Sequence, residues 1–392
     1  LISDIKIKER KEMKSALFPK NEKSKTGKEG ILSREVPKTQ EFMGKARLEI
    51  PHTPEGIEEL CDFIRTNNRT SSGNITILTK DELKKFLNLN MHSVLLRDGS
   101  ILIGCFLSIP FRIQFLIKSG EIGENGKSFG IYKSYIETFS CSTFLNVQQG
   151  RQGQKLCRDL ITTMADLEYH NKVYASYQMT AFPLTENAMP IETFYRPINL
   201  QNSLLLGFMF PGFQNVSQLN NHRMMYKCKM PKNYSVSSIK ENGSTRQVAY
   251  NFYLKAIENK RIAYLPTAEQ FGEWIKNYTS YLVYAETTQS KTTKTPIGFF
   301  SLGCASVKMI DGREGRLAIP HLFLGNKNAL QCLLSVAEEK GYDTFYCNRV
   351  GDLTETLLTD ALCISNSKKN YFSFYNANFN NLCPEDLYMP LF

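Results

Sequence analysis

The run Gln148-Gln149-Gly150-Arg151-Gln152-Gly153 has the composition of an anion cradle. An apolar strand pattern precedes it, over 131–147. A helical pattern follows from about 154 to 169, with Leu156, Leu160, Ile161, Met164 and Leu167 on one face. Glycines at a strand-to-helix junction let backbone approach a ligand closely. The unpaired N–H groups at the start of the helix then face outward, which suits a pyrophosphate. The expected contacts are the backbone N–H groups from Gly150 to Gln154, with Arg151 adding a charge-assisted one. Other chemistries are poorly supplied. Five histidines lie far apart and give no metal-ligand cluster. Ten cysteines are scattered through mostly apolar segments without a C-x-x-C pair, as expected of buried thiols in a reducing compartment.

The elements around this loop repeat. Residues 54–66 place Ile57, Leu60, Cys61 and Ile64 on one helical face behind the start signal Thr53-Pro54. A second short helix is expected over 80–89. Two strands follow within Ser93–Phe115, turning at Arg97-Asp98-Gly99. A glycine-rich loop is expected over 116–129, then the long strand, the loop, the helix and a strand near 173–179. The second half shows the same order: strands near 281–287, 297–305 and 317–324, a helix over 327–340, Gly341, and a strand over 343–347. Matching element order without matching residues suggests an internal duplication.

The chain has 392 residues, enough for two fused cores. Its net charge of +10 is spread thinly, with no long Arg-rich stripe, so a pocket for a phosphorylated ligand fits better than nucleic acid. The longest apolar stretch, Ile101–Phe115, is broken by Gly104, Pro110 and Arg112 and is too short to cross a bilayer. A cytoplasmic protein is expected. Residues 1–30 read as a basic polar arm.

The loop also carries a resemblance. Gln148, Arg151 and Gly153 fit the Q/R-x-x-G/R-x-G/A signature with which the acetyltransferase superfamily binds the pyrophosphate of acyl-CoA. The N-myristoyltransferase branch is more similar still. Glu137-Thr138-Phe139-Ser140-Cys141 through Leu160 resembles its glutamate-led strand, basic loop and helix. Val36-Pro37-Lys38 resembles its N-terminal V-P-K, which lies against acyl-CoA. Ile103–Pro110 resembles its strand ending in I-P, and Tyr174-Ala175-Ser176 its Y-T-A. Pro190–Thr193 with Tyr195-Arg196, Glu273-Trp274 and Lys340–Phe345 resemble three further stretches.

This resemblance implies an α/β fold of two acetyltransferase-like halves around a central twisted mixed sheet, with pseudo-twofold symmetry. The implied boundaries are 31–220 for the acyl-CoA half and 221–392 for the peptide-side half. It implies transfer of myristate from myristoyl-CoA to the N-terminal glycine of a protein or peptide, with no prosthetic group. The cofactor contacts carried over are Val36, Pro37, Lys38, Gln148, Gly150, Arg151, Gln152, Gly153 and Gln154. The oxyanion donors would be two backbone N–H groups at a strand bulge, carried across to Ser140 and Cys141. The base would be the carboxylate of Phe392, in the apolar ending Tyr388-Met389-Pro390-Leu391-Phe392. No histidine near Cys141 marks it as a nucleophile.

Some family features are missing. Phe139 and Ala175 stand where the family has an asparagine and a threonine that hold the substrate amine. The acidic, aromatic peptide loop is not recognisable between Thr66 and Thr79. Ser365–Lys369 stands in place of a Gly-Asp-Gly turn. An alternative therefore accompanies the acyltransferase: a catalytically weakened relative acting as a binding or assembly subunit of a larger complex.

Overall fold

The computed structural model describes residues 30–31, 46–48, 53–67, 75–77, 80–119, 131–151, 155–183, 188–208, 222–239, 243–286, 294–308, 312–379 and 381–392. Its strands in the first part are β1 (Gly30–Ile31), β2 (Ala46–Leu48), β3 (Ile75–Ile77), β4 (His92–Asp98), β5 (Ile101–Ser119), β6 (Ile131–Val147), β7 (Ala175–Thr180) and β8 (Met189–Pro197). The later strands are β9 (Tyr234–Ser238), β10 (Ile262–Tyr264), β11 (Thr279–Ala285), β12 (Thr295–Lys308), β13 (Glu314–Leu324), β14 (Thr344–Asn348), β15 (Ile364–Tyr375), β16 (Ala377–Asn378) and β17 (Leu387–Tyr388).

Two units with the same order meet in one mixed sheet. In the first, β4 pairs with β5 and β5 with β6, both antiparallel, and β6 runs parallel to β7 across the helix Leu156–His170. In the second, β11 pairs with β12 and β12 with β13, again antiparallel, and β13 runs parallel to β14 across the helix Lys327–Glu339. Along the sheet the order is β5-β6-β7-β15-β8-β14-β13-β12. The two units thus approach each other as mirror orders, with β15 and β8 between them, as the pseudo-twofold expectation requires.

The sequence explains the layers. Within β5, Leu102, Ile103, Cys105, Phe106, Leu107 and Ile109 are all buried, a continuous apolar run suited to a strand covered on both faces. Leu160, Ile161 and Met164 of the first crossover helix pack on Val94, Leu96, Ile103 and Phe106. The second crossover helix starts at Asn326, whose side chain accepts from the N–H groups of Asn328 and Ala329. Its Ala329, Leu330, Leu333 and Val336 enter a core with Phe300, Ala318 and Phe345. One expectation is corrected: β5 continues through Ser119, because residues 116–119 pair with 131–134. The rest of the expected 116–129 loop, and most of the 1–30 arm, lie outside the described residues.

Each unit carries one irregularity in its third strand. In β6, Leu107 faces Thr143 and Cys105 faces Asn146, so Phe144 and Leu145 both lie opposite Phe106, with Phe144 at φ 49°. This is a β-bulge. In β13, Ser301 faces Leu322 while Leu302 faces Pro320, which leaves His321 as the extra residue. The second bulge requires a residue without a side chain on β12. A Cβ built on Gly303 would fall into the His321 imidazole. Gly303→Ala is therefore expected to destabilise the protein by about 1–3 kcal/mol through overpacking, read as a lowered denaturant midpoint with an unchanged m-value.

Candidate functional site

The parallel ladder between β6 and β7 is short. Phe139, Ser140 and Cys141 pair with Ala175, Ser176 and Tyr177, and the pairing stops there although both strands continue. From Ser142 to Val147, β6 keeps β5 on one side and has no strand partner on the other among the described residues. The bulge lies in this unpaired stretch. A sheet that opens beyond the carboxyl ends of parallel strands is a common ligand position.

The last residues approach the same place, held one after another. Leu387 and Tyr388 run parallel to Ile262 and Ala263. The Tyr388 hydroxyl donates to Asp352 Oδ1 at 2.6 Å and accepts from Lys260 Nζ at 2.8 Å. Asp352 is itself fixed, its Oδ2 accepting from the Gly325 N–H at 2.9 Å. The Tyr177 hydroxyl donates to the Pro390 carbonyl at 3.0 Å inside the core. The main chain of Leu391 lies against the His321 imidazole, and that of Phe392 against the Cys141 thiol. The Phe392 ring enters an aromatic box, with centroids 4.9 Å from His321, 5.4 Å from Phe86, 6.1 Å from Phe111 and 6.2 Å from both Trp274 and Tyr278. Phe86 in turn contacts Phe144 at 5.8 Å. Phe392 thus sits beside one bulge residue and a single ring away from the other.

Burial decides the ionisation here. It pushes the Cys141 thiol up to about 12, against opposing contacts from Tyr177 and the Phe392 main chain. Cys141 is a protonated core thiol and not a nucleophile. Burial pulls the His321 imidazole down to about 4, only partly opposed by the Leu391 main chain. The ring is neutral near pH 7. Its Nδ1 and the hydroxyl of Tyr278 are buried without a hydrogen-bond partner. His321 also lines a cavity with Tyr253, Leu322, Val350, Tyr388 and Met389.

The described part of the loop, 148–151, directly follows β6, and its main chain is partly spent on its own structure. Gly150 adopts φ 85°, a left-handed value that favours glycine. The N–H of Gln148 donates to the Ile103 carbonyl, that of Gln149 to Asn67 Oδ1, and that of Arg151 to the Gln148 carbonyl. The Arg151 guanidinium is paired with Asp98 at 2.6 Å, across to the β4–β5 turn. The helix begins after Lys155 with no side-chain cap on its first N–H groups. Gln152, Gly153 and Gln154 lie outside the described residues, as do Val36, Pro37 and Lys38.

The bulge is the correction. The resemblance implied donors at a bulge and carried them to Ser140 and Cys141. Those two sit in regular pairing between β5 and β7, and the bulge falls at Phe144 and Leu145. The residues of β6 alone give no signal for it, since the bulge is a feature of the pairing with β5. Phe139 is fully buried against Phe115, Phe374 and Phe379, and none of its ring contacts is with Phe392. Ala175 is buried opposite it. Among the described residues no three metal-ligating side chains meet, and no helix is long and apolar enough to cross a membrane.

Two outcomes follow from these contacts. Unfolded His321 protonates near its ordinary pKa of about 6.5 while the folded ring resists until about 4. The unfolded state therefore binds more protons in that window, and stability falls as pH drops through it. The slope contributed is at most about 1.4 kcal/mol per pH unit. Denaturant titrations from pH 7 to 4 should show it in the wild type and lose it in His321→Gln. Tyr177→Phe leaves the Pro390 carbonyl buried without its donor. It is expected to cost about 1–3 kcal/mol and to raise amide exchange across Leu387–Phe392 in hydrogen-exchange mass spectrometry.

No protein-family model and no curated protein matches this sequence. Solved structures do match its fold. Saccharomyces cerevisiae N-myristoyltransferase with bound myristoyl-CoA superposes with a TM-score of 0.71 at 12% identity, over 91% of this chain and 90% of that one. A structure of the same enzyme with myristoyl-CoA and inhibitors gives 0.69 at 12% identity, over 97% of each chain. The shared fold thus spans nearly the whole chain, and it is the fold that identity of this order establishes.

Proposed function

We propose that this chain transfers a myristoyl group from its CoA thioester to the N-terminal glycine amine of a protein or peptide. The observation that carries the reading is the seating of Phe392, with its main chain beside Cys141 where β6 and β7 part, and its ring between the two bulges. The likeness to a fold solved with myristoyl-CoA supports it.

In this reading the acyl-CoA thioester lies in the opening, with its carbonyl oxygen toward the backbone N–H groups of Phe144 and Leu145. Fixed backbone donors stabilise an oxyanion without reorganising. The pyrophosphate lies toward the uncapped start of the helix Leu156–His170, where the dipole favours an anion. Arg151 exchanges Asp98 for a phosphate oxygen. The Phe392 carboxylate accepts a proton from the glycine ammonium. The neutral amine attacks the thioester carbon and forms the C–N bond, the carbon–sulfur bond breaks, and CoA leaves as a thiolate that takes up the second proton lost by the attacking nitrogen. Aromatic walls raise the cost of a charged amine and favour its deprotonation before attack.

A single-turnover assay tests this, using preformed myristoyl-CoA complex and a glycine-starting octapeptide. Removing Leu391 and Phe392, or appending a few residues after Phe392, should each cut transfer by about 10²-fold or more. Acyl-CoA affinity by titration calorimetry should survive in both. Intact mass spectrometry verifies that the wild-type Phe392 carboxyl is free. Acyl-CoA binding without transfer across a broad peptide panel would support the binding-subunit alternative, and undiminished transfer in the extended variant would remove Phe392 as the base.

A further inference from the structure

We infer that the segment His222–Lys232 is an interfacial docking patch for a membrane surface containing anionic phospholipid. The inference is independent of acyl transfer.

The segment reads His-Arg-Met-Met-Tyr-Lys-Cys-Lys-Met-Pro-Lys, without an acidic residue. Its first five residues form a short helical turn, and the chain then continues without regular structure to a turn at Lys232-Asn233 before β9. Arg196, buried on β8, fixes its orientation. One guanidinium nitrogen donates to the Tyr226 carbonyl at 3.1 Å and another to the Cys228 thiol at 2.7 Å. With Cys228 held inward and Tyr226 half-buried, the residues between and around them point out. Met224 is 83% exposed, Met225 56% and Met230 39%. Arg223, Lys227, Lys229 and Lys232 are exposed beside them. Among the described residues none of these four cations faces a carboxylate in an ion pair, and Arg223 donates to Gln201 Oε1 at 3.4 Å. By contrast Lys80, Lys260, Lys294 and Lys327 each pair with a carboxylate.

Three solvated thioether side chains in one short segment are costly unless something covers them. Methionine is flexible and polarizable, so it adapts to an irregular apolar phase. Unpaired cations interleaved with apolar side chains match the two layers of a lipid surface. The cations meet anionic head groups, and the apolar groups reach the acyl boundary beneath. An RNA would use the cations and leave the methionines solvated. An acidic protein groove would satisfy both but lacks any feature here that selects it. Arg196 anchors the segment at Tyr226 and Cys228.

Co-sedimentation of the full chain with vesicles tests the assignment. Vesicles of phosphatidylcholine with about 30% phosphatidylserine should bind it, and phosphatidylcholine alone should not. Raising salt to about 0.5 M should weaken binding several-fold by screening. Lys227→Glu with Lys229→Glu should lose at least about tenfold in affinity. Met224→Ser with Met225→Ser should lose affinity while keeping the salt dependence. Lys255→Glu, exposed on another helix, serves as a charge control and should bind as wild type. Each variant's thermal midpoint checks that it folds. Equal binding to both vesicle types would overturn the inference. So would wild-type binding by either double variant, capture by soluble phosphoserine head group as strong as by vesicles, or binding to an RNA oligonucleotide with none to vesicles.

Discussion

The segment Leu387–Phe392 is apolar, and its dehydration requires partners for every main-chain polar group it carries inward. Those partners come from both halves of the molecule. Tyr177 and Cys141 of the first unit and His321 of the second meet the segment's main chain, while Asp352 holds its Tyr388 hydroxyl. Lys260 and the short strand β10 close the outer side. A single buried carbonyl left without its donor is a substantial fraction of a marginal stability. The joint between the units is therefore made by this one strand as much as by side-chain packing. The aromatic box around Phe392 adds area, and the hydrogen bonds fix the register in which that area is buried.

The two bulges explain why the segment comes to rest where it does. A bulge turns a strand and disrupts its ladder locally. One lies at Phe144–Leu145 in β6 and one at His321 in β13. The ring of Phe392 packs on His321 directly and reaches Phe144 through Phe86. The repeated strand order thus carries a bulge in the third strand of each unit, and one chain segment contacts both neighbourhoods.

Much of this was legible in the residues. The long strand Ile131–Val147 and the helix Lys327–Glu339 follow from apolar periodicity and clear stop signals. The apolar ending pointed to a buried one. The bulge position was not legible, because register belongs to a pair of strands and one strand's sequence cannot state it. The strand Ile364–Tyr375 was hidden for a different reason. Its Ser365–Lys369 stretch reads as a polar loop, yet it runs along β8, with a register shift between Ser365 and Lys369, and β7 joins the strand only from Tyr371. Arg151 shows a third limit: its type and spacing suited a phosphate, whereas its present partner, Asp98, lies far away in sequence on a separate turn.

The contact between Tyr177 and Pro390 joins residues 213 positions apart. Contacts of such separation form late, since the entropy of closing the chain is spent before the contact returns anything. The first unit can assemble its local hairpins early, but its opening stays unlined until the distant segment arrives. Until then Phe86, Phe111 and Trp274 present an uncovered aromatic surface. A molecule in which Leu387–Phe392 has not docked lacks the edge strand β17 and leaves β10 uncovered. Such a species is open to strand addition by another chain.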